Sequence, residues 1–151
     1  MAGREVPTMK INDVIHAKPK QAVVTISPDA TVRELIALLA EHNVGALVVS
    51  EDGERVSGIV SERDVVRHLH ADEAVLESAV SQIMTADVRT CTGDDGVTDL
   101  MQTMTEHRIR HVPVVADGRL TGIISIGDVV KNRIGQLEFE RDQLDHYVHQ
   151  T

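Results

Sequence analysis

Val23 to Val66 reads VVTISPDATVRELIALLAEHNVGALVVSEDGERVSGIVSERDVV, and Val88 to Val130 reads VRTCTGDDGVTDLMQTMTEHRIRHVPVVADGRLTGIISIGDVV. The second stretch copies the first. Thr25 matches Thr90, Val32 matches Val97, Glu41-His42 matches Glu106-His107 and Asp52-Gly53 matches Asp117-Gly118, each pair 65 residues apart. Beyond the Asp-Gly turn the spacing is 64, so that Gly58 matches Gly122, Ser61 matches Ser125 and Asp64 matches Asp128. One deletion in a turn accounts for the step, since surface connections tolerate changes of length. Duplication is therefore the first fact about the organisation of this chain.

Local signals give the order of elements in one copy. Val23 to Ile26 is a β-branched run and reads as a strand. Thr31-Val-Arg-Glu34 is a capping box, and Leu35, Leu38 and Leu39 follow at helical spacing. Val44 to Val49 suits a buried strand, Asp52-Gly53 a hairpin turn, and Val56 to Val60 the returning strand. Ser61-Glu-Arg-Asp64 opens a second helix. The order is β-α-β-β-α, twice. The second copy lacks the first cap, because Gly96 stands where Thr31 would, so TGDDGV predicts a looser helix start. A right-handed crossover makes the first two strands of each copy parallel, and the hairpin adds an antiparallel third. Each copy is then a three-stranded sheet with helices on one face. A unit of that size is marginal alone, so the two copies are expected to pack sheet to sheet as a pseudo-twofold pair around one core. We divide the chain into repeat 1 at 9–72, a helical connector at 73–85, repeat 2 at 86–132 and a C-terminal helical extension at 133–151. Within the connector, Ser81 to Thr85 reads as a short helix leading into the second copy. The leader from Lys10 to Ile15 resembles it and is expected to begin the first copy the same way.

Composition narrows the function. The net charge is −9, whereas a nucleic-acid or anionic-membrane binder normally presents a basic face. Phe139 and Tyr147 are the only aromatic residues, too few for a base-stacking surface. A single cysteine, Cys91, rules out an internal disulfide and fits a reducing, cytoplasmic setting. No stretch approaches the roughly 20 apolar residues of a membrane helix.

The paired GIVSERD and GIISIGD segments, each after an apolar strand and an Asp-Gly turn, resemble the CBS-domain signature, as do HNVGALVV and HRIRHVPVV. The resemblance covers about residues 9 to 132 and implies an α/β (α+β) tandem of CBS repeats, a Bateman module. Such modules bind AMP, ADP, ATP, NAD or S-adenosylmethionine, or nothing, and regulate another protein, here a separate chain. They commonly form homodimers. Carried over by motif, Ser61 and Asp64, and Ser125 and Asp128, face a cleft between the repeats, the hydroxyl toward phosphate and the carboxylate toward ribose. A helix N-terminus is suited to phosphate. S-x-x-D is equally a plain capping box, needed only to start a helix.

Arg110 and His111 match positions that hold phosphate in related modules, although a solvated strand start explains them as well. The first copy has Gly45-Ala46 there, with Arg63 its nearest cation. The better-equipped site is therefore expected to contain Arg110, His111, Pro113, Ser125 and Asp128, with Met84 and Thr90 near the adenine. Thr25 and Ala46, with Ser61, Arg63 and Asp64, form the weaker one. Gly58 and Gly122 allow close approach of a ligand or of another backbone. The loose pairs His68/His70 and His146/His149 lack a third metal ligand, and Cys91 reads as a small core residue. No nucleophile-base pair or P-loop is present, so catalysis is not expected. At the C-terminal end, Val130, Ile134, Leu137, Leu144 and Val148 alternate at spacings of 4 and 3, with Arg141 in the remaining seam position. This helix either packs on a second subunit or folds back over its own chain. The expected function is a nucleotide-responsive regulatory module; the alternative is a structural or protein-interaction dimer with empty clefts.

Overall fold

The computed structural model describes residues 9–18 and 23–149, with side chains through residue 146. The elements are α1 (Ile11–His16), β1 (Thr25–Ile26), α2 (Val32–His42), β2 (Ala46–Val49), β3 (Gly58–Ser61), α3 (Glu62–Ala71), α4 (Val97–His107), β4 (His111–Ala116), β5 (Arg119–Ser125) and α5 (Ile126–His149). Their order is the mixed α+β repeat with a terminal helix that the duplication predicts. The side chains of Val148 and His149 lie outside the described ones.

The chain forms two compact units, and they do not follow the two copies in sequence. Among the described residues, the larger holds 23–93 and 112–123; the smaller holds 9–18, 94–111 and 124–149.

In the larger unit the sheet order is β1-β2-β3. β1 runs parallel to β2, with Thr25 opposite Val48 and Ile26 opposite Val49. β2 pairs antiparallel with β3, from Ala46 opposite Ser61 to Val49 opposite Gly58. Strand alternation sends Leu47, Val49 and Val60 to the same core as Ile26. The helical spacing of Val32, Leu35 and Leu39 brings α2 onto that core, and Val65 of α3 joins it. Thr31 caps α2 as predicted: its side chain accepts from the Glu34 N–H at 3.1 Å, and the Thr31 N–H donates back to Glu34 at 3.1 Å.

β4 and β5 form a two-stranded hairpin. Its turn, Asp117-Gly118, has φ of 52° and 77°, the left-handed pair that a two-residue hairpin requires. In the first copy the Asp-Gly turn opens into a longer loop, residues 50–57. There the Asp52 carboxylate accepts from the Glu54 and Arg55 N–H groups at 2.8 Å each. Those backbone bonds, Arg55 first, hold its carboxyl below the ordinary carboxylate value.

The third strand expected in the second copy is reduced to a single parallel bridge, Cys91 opposite Val114. Its register is that of Ile26 and Val49 moved along by the repeat. Arg89, Thr90 and Thr92 are exposed, so this segment has little apolar surface with which to extend the pairing. Cys91 itself is buried and its thiol donates to the Pro113 carbonyl at 3.7 Å, a core role.

The connector is two 3-10 turns, Glu73–Glu77 and Val80–Gln82, so the short helix expected over Ser81 to Thr85 is a single 3-10 turn that ends at Gln82. Backbone pairing decides this. The Val32 N–H donates to the Ser78 carbonyl at 3.0 Å and the Val80 N–H to the Ala30 carbonyl at 2.8 Å. Thr85 and Ile59 then exchange both backbone bonds, at 2.9 and 3.0 Å, which draws the segment extended along β3. The connector thus serves the first copy rather than leading into the second.

In the smaller unit the leader makes the matching bonds with the second copy. The Val97 N–H donates to the Met9 carbonyl at 2.9 Å, and the Ile11 N–H to the Asp95 carbonyl at 3.0 Å. Gly96 supplies no side-chain cap, so α4 starts instead on these leader bonds. α1 and α4 both lie against α5. Ile11, Val14, Val97, Leu100, Met104, Ile124 and Val129 are buried there. α2 and α4 end alike, on left-handed residues Asn43 (φ 51°) and Arg108 (φ 53°).

Candidate functional site

Both S-x-x-D segments fold as capping boxes. At the start of α5 the Ser125 N–H donates to Asp128 Oδ2 at 2.9 Å, and the Asp128 N–H donates to Ser125 Oγ at 3.1 Å. At the start of α3 the Ser61 N–H and Oγ–H donate to Asp64 Oδ2 at 2.8 and 3.1 Å, and Asp64 N–H donates to Ser61 Oγ at 3.3 Å. A helix leaves its first N–H groups without intrahelical partners, and these boxes satisfy some of them.

The strand starts supply another. The Glu62 N–H donates to the Gly45 carbonyl at 2.9 Å, and the Ile126 N–H to the Arg110 carbonyl at 2.8 Å. This bond places Arg110 and the half-buried His111 next to the first turn of α5. The smaller unit therefore brings together Arg110, His111, Ser125 and Asp128. In the larger unit Ala46 lies opposite Ser61, with Thr25 on the neighbouring strand and Arg63 exposed in the first turn of α3.

Met84, Thr90 and Pro113 also belong to the larger unit. Thr90 is exposed and Pro113 fully buried, its carbonyl accepting from the Cys91 N–H at 3.0 Å. Met84 packs on the core beside Gly58. A Cβ at Gly58 would meet Met84 Sδ at 2.6 Å and the Thr85 carbonyl oxygen at 2.8 Å. What approaches Gly58 closely is thus the backbone and side chain of the connector, one of the two readings its sequence position left open.

The sequence reading missed Lys18. Its ammonium donates to Asp128 Oδ2 at 2.8 Å, across 110 residues of chain. The two side chains are 37% and 22% exposed. Burial pushes the Asp128 carboxyl up. The Lys18 ammonium and the Ser125 donors outweigh that and leave it below its ordinary value of 3.8. Asp64 has no ion-pair partner among the described residues, so the two boxes differ in charge. The signal that could have found Lys18 is the likeness of leader and connector. It became decisive only with the bonds each makes.

Among the described residues no group of three His, Cys, Asp or Glu could hold a metal, and no helix is long and apolar enough to cross a membrane.

The family model for the CBS domain matches residues 11–71 and again 80–135. The chain belongs to the CBS domain family. This CBS pair is 37% identical to the mitochondrial CBS domain-containing protein CBSX3 of Arabidopsis thaliana, over 91% of its own length and 71% of the relative's. It is 32% identical to the CBS domain-containing protein YhcV of Bacillus subtilis, over 74% and 79%. Among solved structures, a CBS-domain containing protein of Agrobacterium tumefaciens superposes with a TM-score of 0.76 at 44% identity, covering 82% of this chain and 98% of that one. The CBS domain pair of protein MJ0100, solved with 5′-methylthioadenosine and S-adenosyl-L-methionine, superposes with a TM-score of 0.74 at 25% identity, covering 86% and 99%. An inosine-5′-monophosphate dehydrogenase also matches, but over only 22% of its length, so the likeness is to a module and not to a whole enzyme. A CBS pair is a regulatory module, and that is the coarse function of this chain.

Proposed function

We propose that this CBS pair binds an adenine nucleotide (AMP, ADP or ATP, or an NAD-like ligand) at the start of α5 and signals to a separate protein partner. The observation that carries the reading is the charge constellation there. Asp128, the carboxylate suited to a ribose diol, lies within one turn of Ser125 and beside Arg110, with Lys18 on its oxygen at 2.8 Å. One permanent cation on the carboxylate, and a second residue of that charge whose backbone is bonded to the first turn of the same helix, suit an anionic ligand that also offers hydroxyl donors in a chain of net charge −9. The adenosyl ligands of the MJ0100 pair support the ligand class. His111, beside Arg110 in the same unit, would complete the contacts. Thr25, Ala46, Ser61, Arg63 and Asp64 would form a weaker second site, having only the exposed Arg63 as cation. The protein would act without catalysis of its own, in the cytoplasm and as a homodimer. Ligand would select one conformation and so change affinity for the partner, by no more than its differential affinity for the two states.

One observation favours a second reading, a structural or interaction dimer that needs no ligand. Both Ser–Asp pairs are already engaged in capping, a sufficient reason for their presence. Titration of AMP, ADP, ATP, NAD and S-adenosylmethionine by calorimetry and thermal shift separates the two, with Asp128→Ala and Asp64→Ala as controls. A ligand at 100 times its Kd stabilises by about 2.7 kcal/mol. We expect a rise in melting temperature that Asp128→Ala abolishes. Absence of any shift would leave the structural reading.

A further inference from the structure

Leader and connector stand in a fixed correspondence. Met9 and Ile11 make with Val97 and Asp95 the bonds that Ser78 and Val80 make with Val32 and Ala30. The bridges agree: Lys10 pairs with Gly96 as Ala79 pairs with Thr31. The spacing is 69 residues, also the interval between the starts of the two family matches, at 11 and 80. Carried forward by the same spacing, Lys18 stands where the first copy has Asp87. In sequence, then, one copy has a cation at this offset and the other an anion.

Lys18 is delivered to its place by a folded element. α1 buries Ile11 and Val14 and lies on α5, and the ammonium at its end reaches the first turn of α5. Capping does not explain it, because Asp64 makes the same box with no ion-pair partner among the described residues. Stability explains little, because an ion pair between partly exposed side chains contributes little. What the ammonium does change is the charge beside a carboxylate suited to a sugar diol.

We propose that Lys18 is the specificity-determining cation of the site at Asp128, selecting phosphorylated ligands over neutral or cationic adenosyl compounds. This rests on the nucleotide reading above and sharpens its ligand class. The ion pair acts as a competitor. For a ribose diol to use both oxygens of Asp128, the ammonium must give up its place on Oδ2. A phosphate on the same ligand takes up that ammonium, so the charge remains paired. Adenosine offers no such replacement, and the sulfonium of S-adenosylmethionine adds repulsion.

The test is calorimetric titration of the full chain with AMP, adenosine and S-adenosylmethionine, using wild type, Lys18→Met, Lys18→Arg and, should the Met variant fold poorly, Lys18→Gln. We expect loss of the charge to weaken AMP binding roughly ten-fold or more, as for a charged hydrogen bond. Adenosine and S-adenosylmethionine binding should be unchanged or tighter, and Lys18→Arg should restore AMP. Equal changes for AMP and adenosine, or unchanged AMP binding, would overturn the proposal and leave the nucleotide reading intact. A wild type that binds none of the three, nor ADP, ATP or NAD, would overturn both.

Discussion

At the residue scale the most informative pair is Lys18 and Asp128. Their proximity makes a statement about pH. The folded-state pKa of Asp128 is depressed, so its contribution to stability is fully present above the unfolded value, near 3.8, and is lost as pH falls through the folded value. Lys18→Met removes the ammonium's share of that depression. Chemical denaturation from pH 7 to pH 2 should show the variant less stable at neutral pH, by about 1 kcal/mol at most because the pair is partly exposed. The gap should close as pH drops below 4. A gap that persists at pH 2 would mean that Lys18 acts by packing rather than by charge. None of this was legible from residue types. A lysine before Pro19 and an aspartate in a capping box carry no mark of each other, and only long-range packing joins them.

Elements were more legible, because their signals are local. Thr31 and Glu34 announced the start of α2, Ser61 and Asp64 that of α3, and the structure shows those hydrogen bonds. The Asp-Gly turns were legible too, but not their difference. Asp117-Gly118 closes a tight hairpin, whereas Asp52 spreads its carboxylate over the 50–57 loop. Gly58 shows where local reading stops. It permits a close approach, and only the pairing of Ile59 with Thr85 tells what approaches. Gly58→Ala should therefore destabilise the larger unit by about 1–3 kcal/mol, the usual range for overpacking, since backbone at 2.8 Å cannot swing aside as a side chain can. Urea denaturation measures this, and a cost within 0.5 kcal/mol would refute the packing role.

For the whole molecule, α5 poses the open question of assembly. Its 24 residues span about 36 Å. Val130, Ile134, Leu137 and Leu144 are 46–65% exposed, so the described part of the seam is not folded back over the chain. Apolar residues at alternating spacings of 4 and 3 form the seam that coiled-coil helices bury against each other. Removing residues 136–151 should convert the proposed homodimer to monomer, or weaken it at least ten-fold, in analytical ultracentrifugation. An unchanged dimer would assign assembly to another surface.

The repeat, its β-α-β-β-α order, the caps and the Asp-Gly turns can be read from residue order alone. Each depends on residues within a few positions of one another, or on comparison of one copy with the other. The tertiary structure alone decided which segment serves which copy. The leader completes the start of α4 and the connector that of α2, because N–H groups at each helix start need carbonyl partners and the chain supplies them from a distance. That exchange carried Lys18 to Asp128. It gave two copies with the same S-x-x-D motif different charge, a difference the motif could not reveal.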